Sequence, residues 1–296
     1  FGIVDVKNVI DRGLFPGARM KVGCHMLGGT GMPGDMSMYA CTNPVVSDHL
    51  QLSFIGSGPD FFRDQVRREV KYGGDFIKVF ISGSFLSPDG GPEICYLSDD
   101  ELEMIIKTAH ELGRPVTSHV YPCHMMQKLI GFGIDGMEHG ALMDEETAEM
   151  FEKNNTYLVP TFAPFQDMIE ENEEFIAQNT EDAQRKLRKY APILRNSREI
   201  IKNSKIRLGF GSDLVAVHQP YESCWEYRSW LRSGMDPFRT LKAATAVNAE
   251  ILGIDDITGT IEPGKYADIS GWSRDLLTDP EALFECNFVM KEGTAY

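Results

Sequence analysis

The sequence predicts an α/β fold, a (β/α)8 TIM barrel carrying a small C-terminal β element. Three observations predict it. Short apolar runs alternate with amphipathic helices, as a parallel sheet with crossover helices requires. Ionisable groups recur at the ends of successive strands, where the strand-to-helix loops of such a barrel converge. From Gly259 onward, GTIEPGKYADISGWS and NFVMKEGTAY read as strands and turns without an intervening helix.

The clearest unit spans 74–121. DFIKVFIS is a short apolar strand, followed by a Gly/Pro-rich loop. SDDELEMIIKTAHELG then opens with the capping box of Ser98 and Glu101, repeats Leu102, Ile105, Ile106 and Ala109 at helical spacing, and stops at Gly113. VTSHVY begins the next strand after Pro115. The rhythm continues with a helix near 123–130, the strand GIDGMEHG, a helix over 144–153 and the strand TYLVPTF. A polar helical stretch fills 165–203 with a bend at Pro192, and KIRLGFGSD returns as a strand. Asp236 and Pro237 form an N-cap and first-turn pair for a helix through Leu252. With RMKVGCHM at 19–26, six barrel-type strands are legible. The expected domains are a barrel over 1–255 and a small β-sandwich element over 256–296.

Composition narrows the function. The 296 residues hold 29 basic and 44 acidic side chains, a net charge of −15 that disfavours nucleic acid as a partner. With 42% hydrophobic and 25% charged residues, a folded core is expected rather than disorder. No run of about 18 apolar residues offers a membrane span, so no membrane partner is expected. The six cysteines, at 24, 41, 95, 123, 224 and 286, form no C-x-x-C pair and read as thiols of a reducing, cytoplasmic compartment. The chain opens at Phe1 without Met or a leader-like segment, as a processed or partial chain does.

Four polar groups end four strands. Period-two geometry puts Lys78 on the pleat face of Phe76 and Phe80, His119 on that of Thr117 and Tyr121, and His139 on that of Asp135 and Met137. Asp213 falls just beyond the strand holding Leu208 and Phe210. Taken singly, each has a structural explanation: an ion pair for Lys78, hydrogen-bonded packing for a histidine, a turn cap for Asp213. Jointly, two imidazoles, an amine and a carboxylate supply what a zinc-like ion prefers. His25 and His124, the acidic run over 170–175, and Trp225, Tyr227 and Trp230 read as packing or solvated surface.

The ordered set FIKVF, VTSHVY, GMEHG and FGSD, followed by ATAVNAEILGI and GTIEPGKYADI, resembles the amidohydrolase superfamily. HVY with GMEHGALMDEETAEMF and LVPTF is most similar to its imidazolonepropionase-like group, which includes Xaa-Pro dipeptidases. The resemblance implies two divalent metal ions, zinc by expectation, bridged by a CO2-derived carbamate on Lys78. It implies His119 and His139 as ligands of the second metal, and Asp213 as a ligand of the first metal and general base. Tyr121 matches a substrate-binding tyrosine. The implied reaction is hydrolysis of an amide or peptide bond in a small molecule such as a dipeptide or N-acyl amino acid, by a protein compatible with a homo-oligomer.

Two departures keep alternatives open. The family's first barrel strand ends in H-x-H, and no two of the seven histidines here are separated by a single residue. The chain resembles the family from the helix after the second strand, so the first two barrel strands are absent from it. Where the family often has G-G-H-G, this chain reads Gly28, Gly29, Thr30, Gly31. Cyclic-amide hydrolysis and a catalytically inactive binding protein of the same fold are the alternatives.

Overall fold

The computed structural model describes residues 1–35, 53–86, 91–213 and 224–296. Seven parallel strands form one sheet: β1 (Met26–Gly29), β2 (Ser53–Gly56), β3 (Ile77–Phe80), β4 (Val116–Pro122), β5 (Gly136–Leu142), β6 (Tyr157–Val159) and β7 (Arg207–Leu208). Their order is β2-β1-β3-β4-β5-β6-β7, so from β3 onward each strand pairs with the next in sequence, the arrangement that βαβ crossovers produce. Register fixes the site: Phe80 lies beside His119 in the β3–β4 ladder, and His119 beside Glu138 in the β4–β5 ladder.

Helices pack on one side of this sheet. After an N-terminal helix α1 (Gly2–Asp11) come α2 (Pro59–Lys71), α3 (Asp99–Glu111), α4 (Cys123–Gly131) and α5 (Glu145–Asn154). Both arms of the expected capping box start α3. Ile77, Val79, Val116, Val120, Met137 and Leu158 point from the strands into one apolar core with Phe62 and Val66 of α2, Ile105 of α3, Met126 of α4 and Phe151 of α5. Three antiparallel strands, β8 (Ile269–Trp272), β9 (Cys286–Lys291) and β10 (Thr294–Ala295), form the separate small sheet expected of the tail.

The structure departs from the sequence reading in local detail. The first strand lies at 26–29, not 19–26. Upstream of it, the backbone N–H of Val22 donates to Asp75 and those of Cys24 and His25 to Glu69, so carboxylates replace a neighbouring strand. The stretch 165–203 is several helices. Asn172 accepts the N–H of Glu174 and Phe175, and Thr180 caps α6 (Glu181–Asn203), which runs through Pro192. α7 (Cys224–Arg232) precedes α8 (Pro237–Lys242), which passes through a wide π-type turn over Ala243–Val247 before a last helical turn at Asn248–Ile251. Strand β2 and helix α2 went unread, although Pro59 at the first turn and the spacing of Phe62, Val66 and Val70 mark the helix. Cys41, His49 and His218 lie outside the described residues.

Candidate active site

At the C-terminal ends of β4 and β5, His119, Tyr121 and His139 meet as three mutually contacting rings. The centroids of His119 and His139 are 4.6 Å apart at an interplanar angle of 75°. Tyr121 lies 4.6 Å from His119 and 5.4 Å from His139. Phe80, from the end of β3, stacks on His119 at 3.8 Å. A second apolar cluster, including Phe85, Phe165, Met168 and Tyr190, packs around Tyr121 over this end of the sheet.

Both imidazoles are buried, and burial disfavours their charged form. For His119, desolvation together with the Lys78 charge lowers the pKa to about 3, against backbone hydrogen bonds at Gly83 and Ser82. Desolvation, the neighbouring His119 and Lys78 hold His139 well below the usual imidazole range. The rings are therefore neutral at physiological pH. The Nε2 of His119 is buried and makes no hydrogen bond, a costly state for a polar atom unless a ligand completes it. The Nδ1 of His139 lies 2.6 Å from the Thr161 hydroxyl.

Lys78 projects from β3 onto the carboxylate of Glu138, whose second oxygen accepts the Thr117 hydroxyl at 2.8 Å. The structure thus displays the ion pair that a half-buried lysine needs. Asp213 follows β7 with a left-handed φ of 49°. It is exposed by area, yet it sits where protein walls displace bulk water. That desolvation and the charge of Glu138 raise its carboxyl pKa, and Lys78 opposes them. Burial, reinforced by Asp213, raises the Tyr121 phenol as well. The five predicted residues accordingly share one electrostatic neighbourhood. Three of them touch, Lys78 is engaged by Glu138, and Asp213 acts through its field.

One placement is corrected. Period-two alternation put His139 on the face of Asp135 and Met137. In the structure Met137 packs into the helix-facing core, Asp135 binds His110, and His139 joins His119 on the opposite side. The φ of His139 is 70°, and this left-handed residue ends the alternation, so Glu138 and His139 both serve the site. Glu138 carries the same sequence signal as Lys78, a charged residue inside a strand. Thr161, Glu226 and Arg198 had no local signal.

Among the described residues, no group of three or more His, Cys, Asp or Glu is arranged to hold a metal ion. The histidine pair still fits one divalent ion in part: two neutral nitrogen donors side by side, one of them orphaned, are the imidazole half of a zinc site. A cavity of about 480 Å3 lined by Asp75, Pro115, Thr117, Glu138, Tyr157 and Phe210 opens nearer the strand starts and does not include the histidines.

Comparison with known proteins gives the family and the fold. The model of the Amidohydrolase family matches residues 17–295. Ochratoxinase of Aspergillus niger is 26% identical over 232 residues, which are 78% of this chain and 47% of that protein. The chain therefore spans about half the length of the curated relatives of that name. A crystal structure of an amidohydrolase superposes with a TM-score of 0.85 at 29% identity, covering 99% of this chain and 72% of that one. A Xaa-Pro dipeptidase with methionine bound in its active site gives 0.83 at 24% identity, covering 99% and 71%, a likeness of fold.

Proposed function

Because the chain belongs to the amidohydrolase family, we propose that the protein hydrolyses an amide or peptide C–N bond in a small molecule, a dipeptide or N-acyl amino acid, with the help of divalent metal. The observation that carries the reading is the pair of buried, neutral imidazoles of His119 and His139, with the Nε2 of His119 left unsatisfied at the strand ends. A protein gains nothing in stability from an orphaned buried nitrogen. A ligand that completes it supplies the reason for its presence.

His119 and His139 would hold a zinc-like ion, with Lys78 and Asp213 as the further donors. When bound, such an ion supplies Lewis acidity, polarising a carbonyl and making hydroxide available near neutral pH. The chain's own residues do the rest. Asp213, a carboxylate that feels the charges of Lys78 and Glu138 and is desolvated by the protein around it, accepts the proton of the attacking water and returns it to the leaving nitrogen. Tyr121, packed between the imidazoles and Phe165, presents its hydroxyl to the substrate. Phe85 and Phe165 wall the same end and exclude water. A carbamate on Lys78 would require the ammonium to leave Glu138, lose one proton to become the neutral amine, and release a second proton as its nitrogen bonds to the carbon of CO2.

The test is zinc loading of the purified protein followed by metal analysis and a screen of dipeptides, N-acyl amino acids and cyclic amides. Bound zinc with release of an amino acid supports the reading. Ring opening of cyclic amides alone redirects it to the imidazolone-type reaction. Absence of both zinc and hydrolysis overturns it in favour of a binding protein.

A further inference from the structure

His139 is positioned by a device that the strand itself does not provide. Its Nδ1 lies 2.6 Å from the Oγ1 of Thr161, and that hydroxyl donates to the carbonyl of Pro160 at 2.8 Å. A threonine hydroxyl has one proton, and a carbonyl can only accept. With that proton committed to Pro160, the contact with His139 is a hydrogen bond only if the imidazole donates. His139 is then protonated at Nδ1 and bare at Nε2.

The geometry is held at a cost. Thr161 has a φ of 46°, a left-handed conformation that is a genuine outlier for a β-branched residue. Strain of this kind persists only where the surroundings over-determine it. Here the next residue is clamped from both sides. The carboxylate of Glu226, fully buried on α7, accepts the N–H groups of Phe162 and Ala163 at 2.7 Å each, together with the indole N–H of Trp230. The guanidinium of Arg198 on α6 donates to the Phe162 carbonyl at 3.1 Å and lies over its ring. Two helices thus contribute a carboxyl group and a guanidinium to fix one peptide segment directly after Thr161.

We infer that Thr161 is a positioning residue that fixes the Nδ1–H tautomer of His139 and leaves Nε2 bare for a ligand, with Glu226 as the strut that holds Thr161 in its strained conformation. This rests on reading His139 as a ligand-binding residue of the proposed site. A histidine whose other nitrogen is tied down in this way binds metal better, and losing such a partner typically lowers affinity about 10- to 100-fold.

The tautomer can be read without any activity. In metal-free protein labelled with 15N-histidine, long-range proton–nitrogen spectra should show His139 protonated at Nδ1. Thr161→Val, which keeps the shape and removes the acceptor, should mix or reverse the tautomers and weaken zinc binding by about 10- to 100-fold. Thr161→Ser should retain both. Glu226→Gln should give a mixed tautomer with a smaller loss of affinity, and wild-type behaviour in that variant would remove the strut from the inference. A wild-type spectrum with the proton on Nε2, or an unchanged tautomer in Thr161→Val, overturns the inference. The wild-type spectrum decides even where a variant fails to fold. A wild-type Nδ1–H signal in a protein that hydrolyses no amide would refute the proposed reaction and leave the tautomer assignment standing.

Discussion

On the helix-facing side of the sheet, Ile77, Val79, Val116, Val120, Met137 and Leu158 are each at most 1% exposed and carry no ionisable group. The other side of the same strands carries Lys78, Thr117, Glu138 and His119. The apolar side gains free energy from burial without directional demands. The polar side pays desolvation for each group, leaves an imidazole nitrogen unsatisfied and places left-handed backbone at His139, Thr161 and Asp213. One set of strands thus carries an apolar core on one face and the candidate site on the other. The cost on the second face is tolerated because the first provides the surplus.

The largest expected effect breaks the polar face alone. Asp213→Asn keeps the shape and removes the proton acceptor, so turnover on a cleaved substrate should fall by about 10²- to 10⁴-fold. Much of the zinc should stay bound through His119 and His139, and the urea midpoint should stay close to wild type. Full turnover in that variant would refute the general-base assignment. Met137→Ala breaks the other face. It empties a fully buried position in the apolar core, and should cost about 2–5 kcal/mol in urea denaturation. Activity per folded molecule should be retained, although the neighbouring residues Glu138 and His139 serve the site. A loss of turnover with unchanged stability in Met137→Ala would show that the two faces are not separable.

This contrast also explains what was legible in the sequence. Regular alternation exposed Lys78, His119 and the core positions, because period two holds wherever φ stays in the extended region. It failed at His139, where the left-handed residue shifts the pattern by one and brings Glu138 and His139 to the same side. The α/β class followed from strand–helix alternation and was not disturbed by the misplaced start of β1. The caps at Asn172 and Thr180 were present in the sequence, but the polar character of 165–203 hid them. Glu226 and Arg198 were not readable at all. Glu226 lies 64 residues from Phe162, and nothing local distinguishes its carboxylate from the exposed acids around it. Only the folded chain brings it onto that peptide.

Glu226 offers the next test, because it is a charge buried within the apolar framework. Burial raises its pKa from 4.5 to about 7, against the N–H groups of Ala163 and Phe162, the Trp230 indole and the Arg198 guanidinium. Between those two pH values the folded protein keeps the proton that the unfolded chain has released. Stability therefore falls as pH rises through the window, by a total on the order of 3 kcal/mol. Urea midpoints measured across it should decline in wild type and lose most of that slope in Glu226→Gln. A midpoint that rises with pH in wild type but not in the variant would mean that the N–H donors and Arg198 outweigh burial.

The smallest effect lies where the small sheet meets the barrel side, and it tests whether charge placed outside both faces matters. Arg19 donates to Asp268 at 2.8 Å and to Glu292 at 2.7 Å, and its guanidinium lies over the Tyr266 ring. Asp268 also accepts the Thr258 hydroxyl and the Glu292 N–H, so the arginine closes an existing network. These groups are partly solvated, and pairs of this kind are worth up to about 1 kcal/mol. Arg19→Ala should lower the urea midpoint by a corresponding amount at low salt and by less at high salt, where screening has already weakened the pair. Turnover should not change, since Arg19 touches none of the site residues. A larger, salt-independent loss would instead point to the arginine's packing on Tyr266 as the stabilising contact.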